Sequence, residues 1–364
     1  MLIKFFFTAL FITFPALGWC QKIAFISPGQ SNEIYWETAS KFMQMAASSL
    51  GMEFETLYSE RDHLESIQIA RQLVSRPIKT RPDYVIFSND YGLAPALLKI
   101  FNESKIPCLM AFSAPTSEEK IHVGIPRQKY KFWLGSIEPR AQDAGYLTAR
   151  ELIQKGRMMD LYGPDNKMHV IAISGDRSTN SSRLRNQGMY RAINESGDTV
   201  LDQEVYADWS SSKAEEKATW LYQRHGQAKL LWTGSDVMAL GAMRALEKSG
   251  GIPGKTVLFS AINTSKEALI ALQSGRLSSL AGGHFITGAW AIIMIHDYSH
   301  GIDFADEELE FVRPMFRTFN QKTAQSFKSQ FIDSSKFIDF KKYSKLHNPK
   351  LKKYVFSLDD IIKQ

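Results

Sequence analysis

Apolar, β-rich runs alternate with amphipathic helical patterns at a nearly constant spacing, and the whole series occurs twice. In the first series, residues 23–27, 54–58, 84–88 and 107–112 read as strands, with helices near 38–50, 64–75 and 94–103 between them. Helical connections of this length join parallel strands, and each such unit is right-handed. A second series starts after Ser136-Ile137-Glu138-Pro139, with strands at 169–174, 199–206, 230–233 and 256–260. Helices near 144–154, 183–194, 213–225 and 239–249 alternate with them. The pattern predicts an α/β protein built from two doubly wound parallel-sheet lobes.

The chain has 364 residues, 44% of them hydrophobic, which is enough for two packed cores. Lys4 precedes the apolar run 5–17, and Ala16-Leu17-Gly18 puts small residues where a signal peptidase cuts. The run is too short to span a bilayer. It reads as a cleaved leader, 1–18, of a protein exported to the periplasm, with cleavage after Cys20 as the other choice. Trp19 before Cys20 is too large for a lipoprotein site. Much of the net charge of +6 comes from tail lysines, Lys341, Lys342, Lys345, Lys350, Lys352 and Lys353, which read as a solvated surface. A nucleic-acid partner does not fit an exported chain. Cys20 and Cys108 are the whole cysteine complement, which excludes a disulfide framework and a cysteine-built metal site.

Three polar turns join a strand to the next helix, the position at which an open α/β sheet offers a ligand crevice. Pro28-Gly29-Gln30-Ser31-Asn32-Glu33-Ile34-Tyr35-Trp36 ends in aromatic faces suited to stacking on the apolar side of a sugar-like ring. Ser174-Gly175-Asp176-Arg177-Ser178-Thr179-Asn180-Ser181-Ser182-Arg183 repeats the arrangement in the second series. Arg183 and Arg185 lie two apart on a helix, so only one of them reaches a crevice. Trp232-Thr233-Gly234-Ser235-Asp236 is the third junction, where Ser235 or Asp236 can also serve as a helix cap. Asp90 and Phe112 follow two further strands of the first series, and Trp209 follows one of the second.

Other candidates carry less. His296-Asp297-Tyr298-Ser299-His300 spaces two histidines by one helical turn, as a zinc pair can, but with no third ligand nearby it reads as an exposed helix end. Ser249-Gly250-Gly251-Ile252-Pro253-Gly254-Lys255 ends a helix and leads into a strand, the reverse of a phosphate loop. No Gly-x-Ser-x-Gly elbow, His-Glu-x-x-His or dinucleotide fingerprint is present, so the reading is a binding protein without catalysis or cofactor.

The Trp232–Ala242 stretch, the Ser-x-x-Arg-x-Arg-x-x-Gly segment around Arg183 and Arg185, and Ala261-Ile262-Asn263, in this order, resemble periplasmic binding proteins of the ribose-binding type. The resemblance runs to about residue 330. It implies lobes over 21–137 plus 283–312 and 138–282 plus 313–330, a three-strand hinge, and a C-terminal extension over 331–364. It implies ligand contacts from Arg183, Ser235, Asp236 and Asn263, with Asp90, Phe112 or Ser113, and Trp209 completing the crevice and His284 near it. The first turn is most similar to LuxP-type autoinducer-2 receptors, with Trp36 as the ligand-packing ring. Ser31 and Glu33 replace a glutamine and a serine of those receptors, Ile262 a tryptophan, and Gly282 an arginine. Those substitutions imply a different ligand, and Glu33 would suit a basic one. The implied function is capture of a small sugar-like solute for the permease of an ABC importer. The alternative is signalling to a membrane histidine kinase or diguanylate cyclase.

Overall fold

The computed structural model describes residues 20–333 and 337–362, and the expected leader lies outside the described residues. The first series forms β1 (Lys22–Ser27), α1 (Ile34–Leu50), β2 (Glu53–Tyr58), α2 (His63–Ser75), β3 (Tyr84–Phe87), α3 (Ala94–Glu103), β4 (Cys108–Ala111), α4 (Ser117–Val123) and β5 (Trp133–Pro139). The second forms α5 (Ala141–Met158), β6 (Met168–Ser174), α6 (Asn180–Ser196), β7 (Thr199–Tyr206), α7 (Ser211–Arg224), β8 (Leu230–Thr233), α8 (Asp236–Lys248), β9 (Leu258–Ile262), α9 (Lys266–Gln273) and β10 (Ser279–Gly282). The chain then adds α10 (Thr287–Ser299), β11 (Glu310–Arg313), β12 (Arg317–Thr318), α11 (Gln321–Phe327) and α12 (Leu358–Ile362).

Local chemistry explains the boundaries. The buried face of α1 carries Trp36, Ala39, Met43, Ala46 and Leu50 at helical spacing, and Gly51 closes the helix in the left-handed region (φ 74°). Asp62 caps α2 by accepting from the Leu64 N–H at 2.8 Å. Thr116 and Glu119 cap α4 reciprocally. Strands β3, β4, β8 and β9 are almost wholly buried, as parallel strands covered on both faces must be.

The strands sort into two six-stranded sheets, ordered β2-β1-β3-β4-β5-β11 and β7-β6-β8-β9-β10-β12. Every pairing is parallel except β10 with β12. Both sheets reverse strand order after their first strand, so each has a switch point, β1/β3 and β6/β8, where a crevice opens at the carboxyl ends. The chain passes between sheets three times: from β5 to α5, from β10 to α10, and from β11 to β12.

In the segment beyond α11, whose lysines read as solvated and whose alternating aromatic and basic residues suggest packing across the lobes or a docking surface, the aromatic residues pack. Phe340, Tyr354 and Phe356 are buried against the first sheet's helices, with Phe356 stacked on Trp290 of α10 at 5.1 Å and Phe340 6.1 Å from the same ring. Lys341, Lys350, Lys352 and Lys353 do remain exposed. The same fold-back corrects the reading of 296–300 as an exposed helix end: His296 and Asp297 are buried. The Asp297 carboxylate accepts from Ser344 Oγ, the Lys345 N–H and Tyr354 Oη at 2.5, 2.7 and 2.8 Å. Among the described residues, no cluster of three or more histidine, cysteine or acidic side chains is placed to hold a metal.

Candidate functional site

Between the carboxyl ends of the two sheets lies a cavity of about 800 Å³, lined from both sides. On the side of the first sheet, the turn after β1 is braced by a residue from the turn after β2. Arg61 donates from Nε and Nη2 to the two carboxylate oxygens of Glu33 at 2.7 and 2.6 Å, a fork-to-fork pair. Burial works against the Arg61 charge, but the Glu33 hydrogen bonds outweigh it and hold the guanidinium above its ordinary value. Glu33 is thus taken up by Arg61, which corrects its reading as a contact for a basic ligand. Ser31 also moves out of the set: it is exposed, does not line the cavity, and its N–H donates to Glu60 Oε1 at 3.0 Å.

Tyr35 and Trp36 line the cavity floor. Trp36 is buried edge-on against Phe112 at 5.1 Å. Phe112 itself lines a 50 Å³ extension below the main cavity, together with Ser113, Asp90, Arg185 and His284. Asp90 follows β3 and lies in both spaces. Burial pushes its carboxyl up to about 6, with Arg61 and Arg185 opposing and Asp176 and Glu33 adding to the rise.

The opposite wall is organised around Asp176, after β6. Its carboxylate accepts from the Ser178 and Thr179 N–H groups at 2.8 and 2.6 Å, from both their hydroxyls, and from Trp209 Nε1 at 2.5 Å. Trp209 lies in the left-handed region (φ 59°), and its ring covers Gly175 so closely that a Cβ there would lie 2.3 Å from Cζ2. Only glycine admits the ring at this position.

Arg185, not Arg183, reaches the crevice. Arg183 is exposed and lines neither cavity. Two residues along a helix is a rotation of about 200°, which puts the pair on opposite faces. Arg185 is 6% exposed, donates to Gly234 O at 2.7 Å and to His284 Nε2 at 3.0 Å, and lies 5.3 Å from the Trp209 ring. A guanidinium only donates, so His284 must accept on Nε2 and carry its proton on Nδ1. Burial pulls Arg185 down to about 10 despite Tyr35, Asp236 and Asp90. Burial and the neighbouring Arg185 push His284 well below its ordinary value. The His284 ring is packed between Tyr35, at 4.8 Å, and Phe316, at 4.3 Å.

Ser235, Asp236 and Asn263 complete the wall. Asp236 accepts from the Val237 and Ser265 N–H groups, both at 2.9 Å, and from Asn263 Nδ2 at 3.1 Å. Burial raises its carboxyl in spite of these donors. Asn263 adopts φ 90°, which turns its amide toward Asp236. Arg185 Nε, Ser235 Oγ, Asn263 Oδ1 and His284 Nδ1 are buried without a hydrogen-bond partner among the described residues. Buried polar atoms are rarely left so, which marks this wall as a polar one shaped by more than packing.

Of the sequence candidates, the cavity gathers Glu33, Trp36, Asp90, Trp209, Ser235, Asp236 and Asn263. The Tyr35 ring, expected with Trp36 as a stacking face, also lines the cavity. Sequence reasoning passed over Arg61 and Asp176 as site residues; Arg61 did carry one signal, its position just past the end of a strand, and Asp176 sits inside a polar turn.

Comparison with known proteins places this geometry. Residues 23–301 match the family described as periplasmic binding protein domain. A periplasmic sugar-binding protein from Pseudomonas fluorescens superposes with a TM-score of 0.85 at 31% identity, covering 94% of this chain and 100% of that one. The D-apiose import binding protein of Actinobacillus succinogenes is 22% identical over 249 residues, 68% of this chain and 73% of that protein. The periplasmic component of the arabinose ABC transporter from Shewanella sp. ANA-3, solved with α- and β-L-arabinofuranose, shares the fold at TM-score 0.71 and 17% identity, covering 86% of this chain and 96% of that one.

Proposed function

The chain belongs to the periplasmic binding protein domain family, and on that premise we propose that it is an exported receptor whose lobes close over one neutral, sugar-like solute and deliver it to the permease of an ABC importer. Its family and relatives are substrate-binding proteins, not enzymes. The observation that carries the reading is the cavity between the sheets, lined by polar side chains of both lobes beside aromatic rings. Arg185, Asp90, Asp236 and Asn263 hydrogen-bond the solute, and Trp36 and Trp209 flank its apolar faces. Glu33 is neutralised by Arg61, and Asp208 by Lys213 at 2.7 Å. Asp176 and Asp236 are held in place by neutral donors of the protein, so both stand as fixed acceptors in the wall. Closure follows from tighter binding to the closed form, with the crossings between the sheets as hinges.

Uptake is preferred over sensing because two similar proteins are import components. The expected leader, 1–18, fits the periplasmic location of the family. The test is a thermal-unfolding screen against pentoses, hexoses and furanose sugars, followed by calorimetry on any that raise Tm. Saturable binding of one sugar supports the reading. No shift with any sugar, and no sugar in the purified protein by mass spectrometry, would overturn it.

A further inference from the structure

The C-terminal segment touches both lobes, and it does so at the hinge. One part is fixed to the first lobe. Phe340 N–H donates to Ser49 Oγ of α1 at 3.0 Å, Tyr354 and Phe356 pack on Phe311 of β11, and Lys345 Nζ pairs with Glu307 at 2.5 Å. The final helix, α12, leaves that surface and lies across the crossings. Leu358, 4% exposed, sits against Gly283 so closely that a Cβ on the glycine would be 2.3 Å from Leu358 Cδ2 and 3.0 Å from Met315 O. Gly283 begins the second crossing, and Met315 lies in the third. Beside them Asp359 pairs with Arg317 of β12, which belongs to the second sheet.

We propose that residues 337–362 form a strap that sets the angle between the lobes, anchored on the first lobe, seated on the second crossing by Leu358 and latched to the second lobe by the Asp359–Arg317 pair. This rests on the two-lobe closing reading above but not on the identity of the solute. Hinge bending is absorbed by a few crossing residues. A side chain packed this closely on a crossing must slide or leave when the crossing rotates, because packed interiors switch between arrangements and do not compress. The strap therefore favours one lobe angle and weights the open–closed equilibrium, so that apparent affinity follows the fraction of binding-competent protein.

The test places one label on each lobe, at exposed Lys99→Cys and Glu216→Cys in a Cys20→Ser background, and reads the interlobe distance distribution by electron spin resonance or single-molecule fluorescence. Arg317→Glu and Asp359→Arg should each broaden the unliganded distribution, and the double swap should restore it. A chain ending at Ser357 keeps Tyr354 and Phe356 over the first lobe, so its fold is preserved. It should broaden further and move sugar affinity by about tenfold, as expected for loss of a buried leucine. An unchanged distribution in both the swap series and the truncated chain overturns the strap. If the distribution broadens while no sugar binds any form, the strap stands and the sugar reading fails.

Discussion

Replacing Arg185 with methionine should separate binding from folding. The side chain occupies the cavity wall with no carboxylate of the described residues in ion-pair contact, held by Gly234 O and His284 Nε2. Its depression to about 10 corresponds to roughly 3 kcal/mol of the fold working against the charge. Losing the two protein hydrogen bonds costs about 1–3 kcal/mol in return. The opposing effects nearly cancel, so the unliganded Tm should hardly change. Binding should suffer fully: loss of charge-assisted bonds to solute hydroxyls removes roughly 2–3 kcal/mol, or about 30- to 150-fold in Kd. Calorimetry with the tightest sugar from the screen, on Arg185→Met and Arg183→Ala side by side, reads the difference directly. Arg183→Ala should bind as the parent does. A methionine variant with unchanged Kd, or an Arg183→Ala variant as weak as Arg185→Met, would refute the assignment.

Other consequences can be checked on the purified protein. Gly175→Ala drives a methyl into the Trp209 ring, so it should cost about 1–3 kcal/mol of stability and weaken sugar binding with it, read by denaturant unfolding and calorimetry. His169 lies between Asp202, 2.7 Å from Nδ1, and Asp165, 3.1 Å from Nε2. Burial lowers its affinity for a proton, yet the two carboxylates outweigh burial and raise it above the ordinary 6.5. The stability it contributes is therefore complete below about 6.5 and fades as pH rises through the raised value. His169→Gln should flatten that part of the stability–pH curve, and an unchanged slope would count against the pairing. Asp297→Asn weakens the tail's anchor by roughly 2–3 kcal/mol. Burial raises the Asp297 carboxyl, but donors from His296, Ser344, Tyr354 and Lys345 bring it below the usual carboxylate range, so its contribution holds above pH 3.8 and falls away as acid protonates the folded form. Hydrogen exchange at residues 340–356 should speed up in the variant, and an unchanged pattern would contradict the anchoring role.

The alternation of strands and helices was legible because each element carries its own period and its own stop signals, and those are local. The polar turns were legible for the same reason, since the carboxyl end of a parallel strand is identifiable before any packing is known. The choice between Arg183 and Arg185 was not, because it depends on how α6 is rotated against its neighbours. Glu33 looked like a free acid in its turn, and only the fold brings Arg61 to it from the end of the next strand. The tail was legible in part: its alternating aromatic and basic residues suggested a packed or docking segment, and Lys341, Lys350, Lys352 and Lys353 are exposed, but the partners that Phe340, Tyr354 and Phe356 find, Trp290 and Phe311, lie far away in the chain.

The Asp176 carboxylate draws in the hydroxyl and N–H donors of its own loop and the indole of Trp209 before any solute arrives. The ordering entropy of that wall is consequently spent during folding, not during capture. A receptor built this way meets its solute with a finished surface on one lobe, so encounter need not await loop rearrangement and lobe closure becomes the slow step. Capture is then limited by closure of the lobes, and residence time by their reopening.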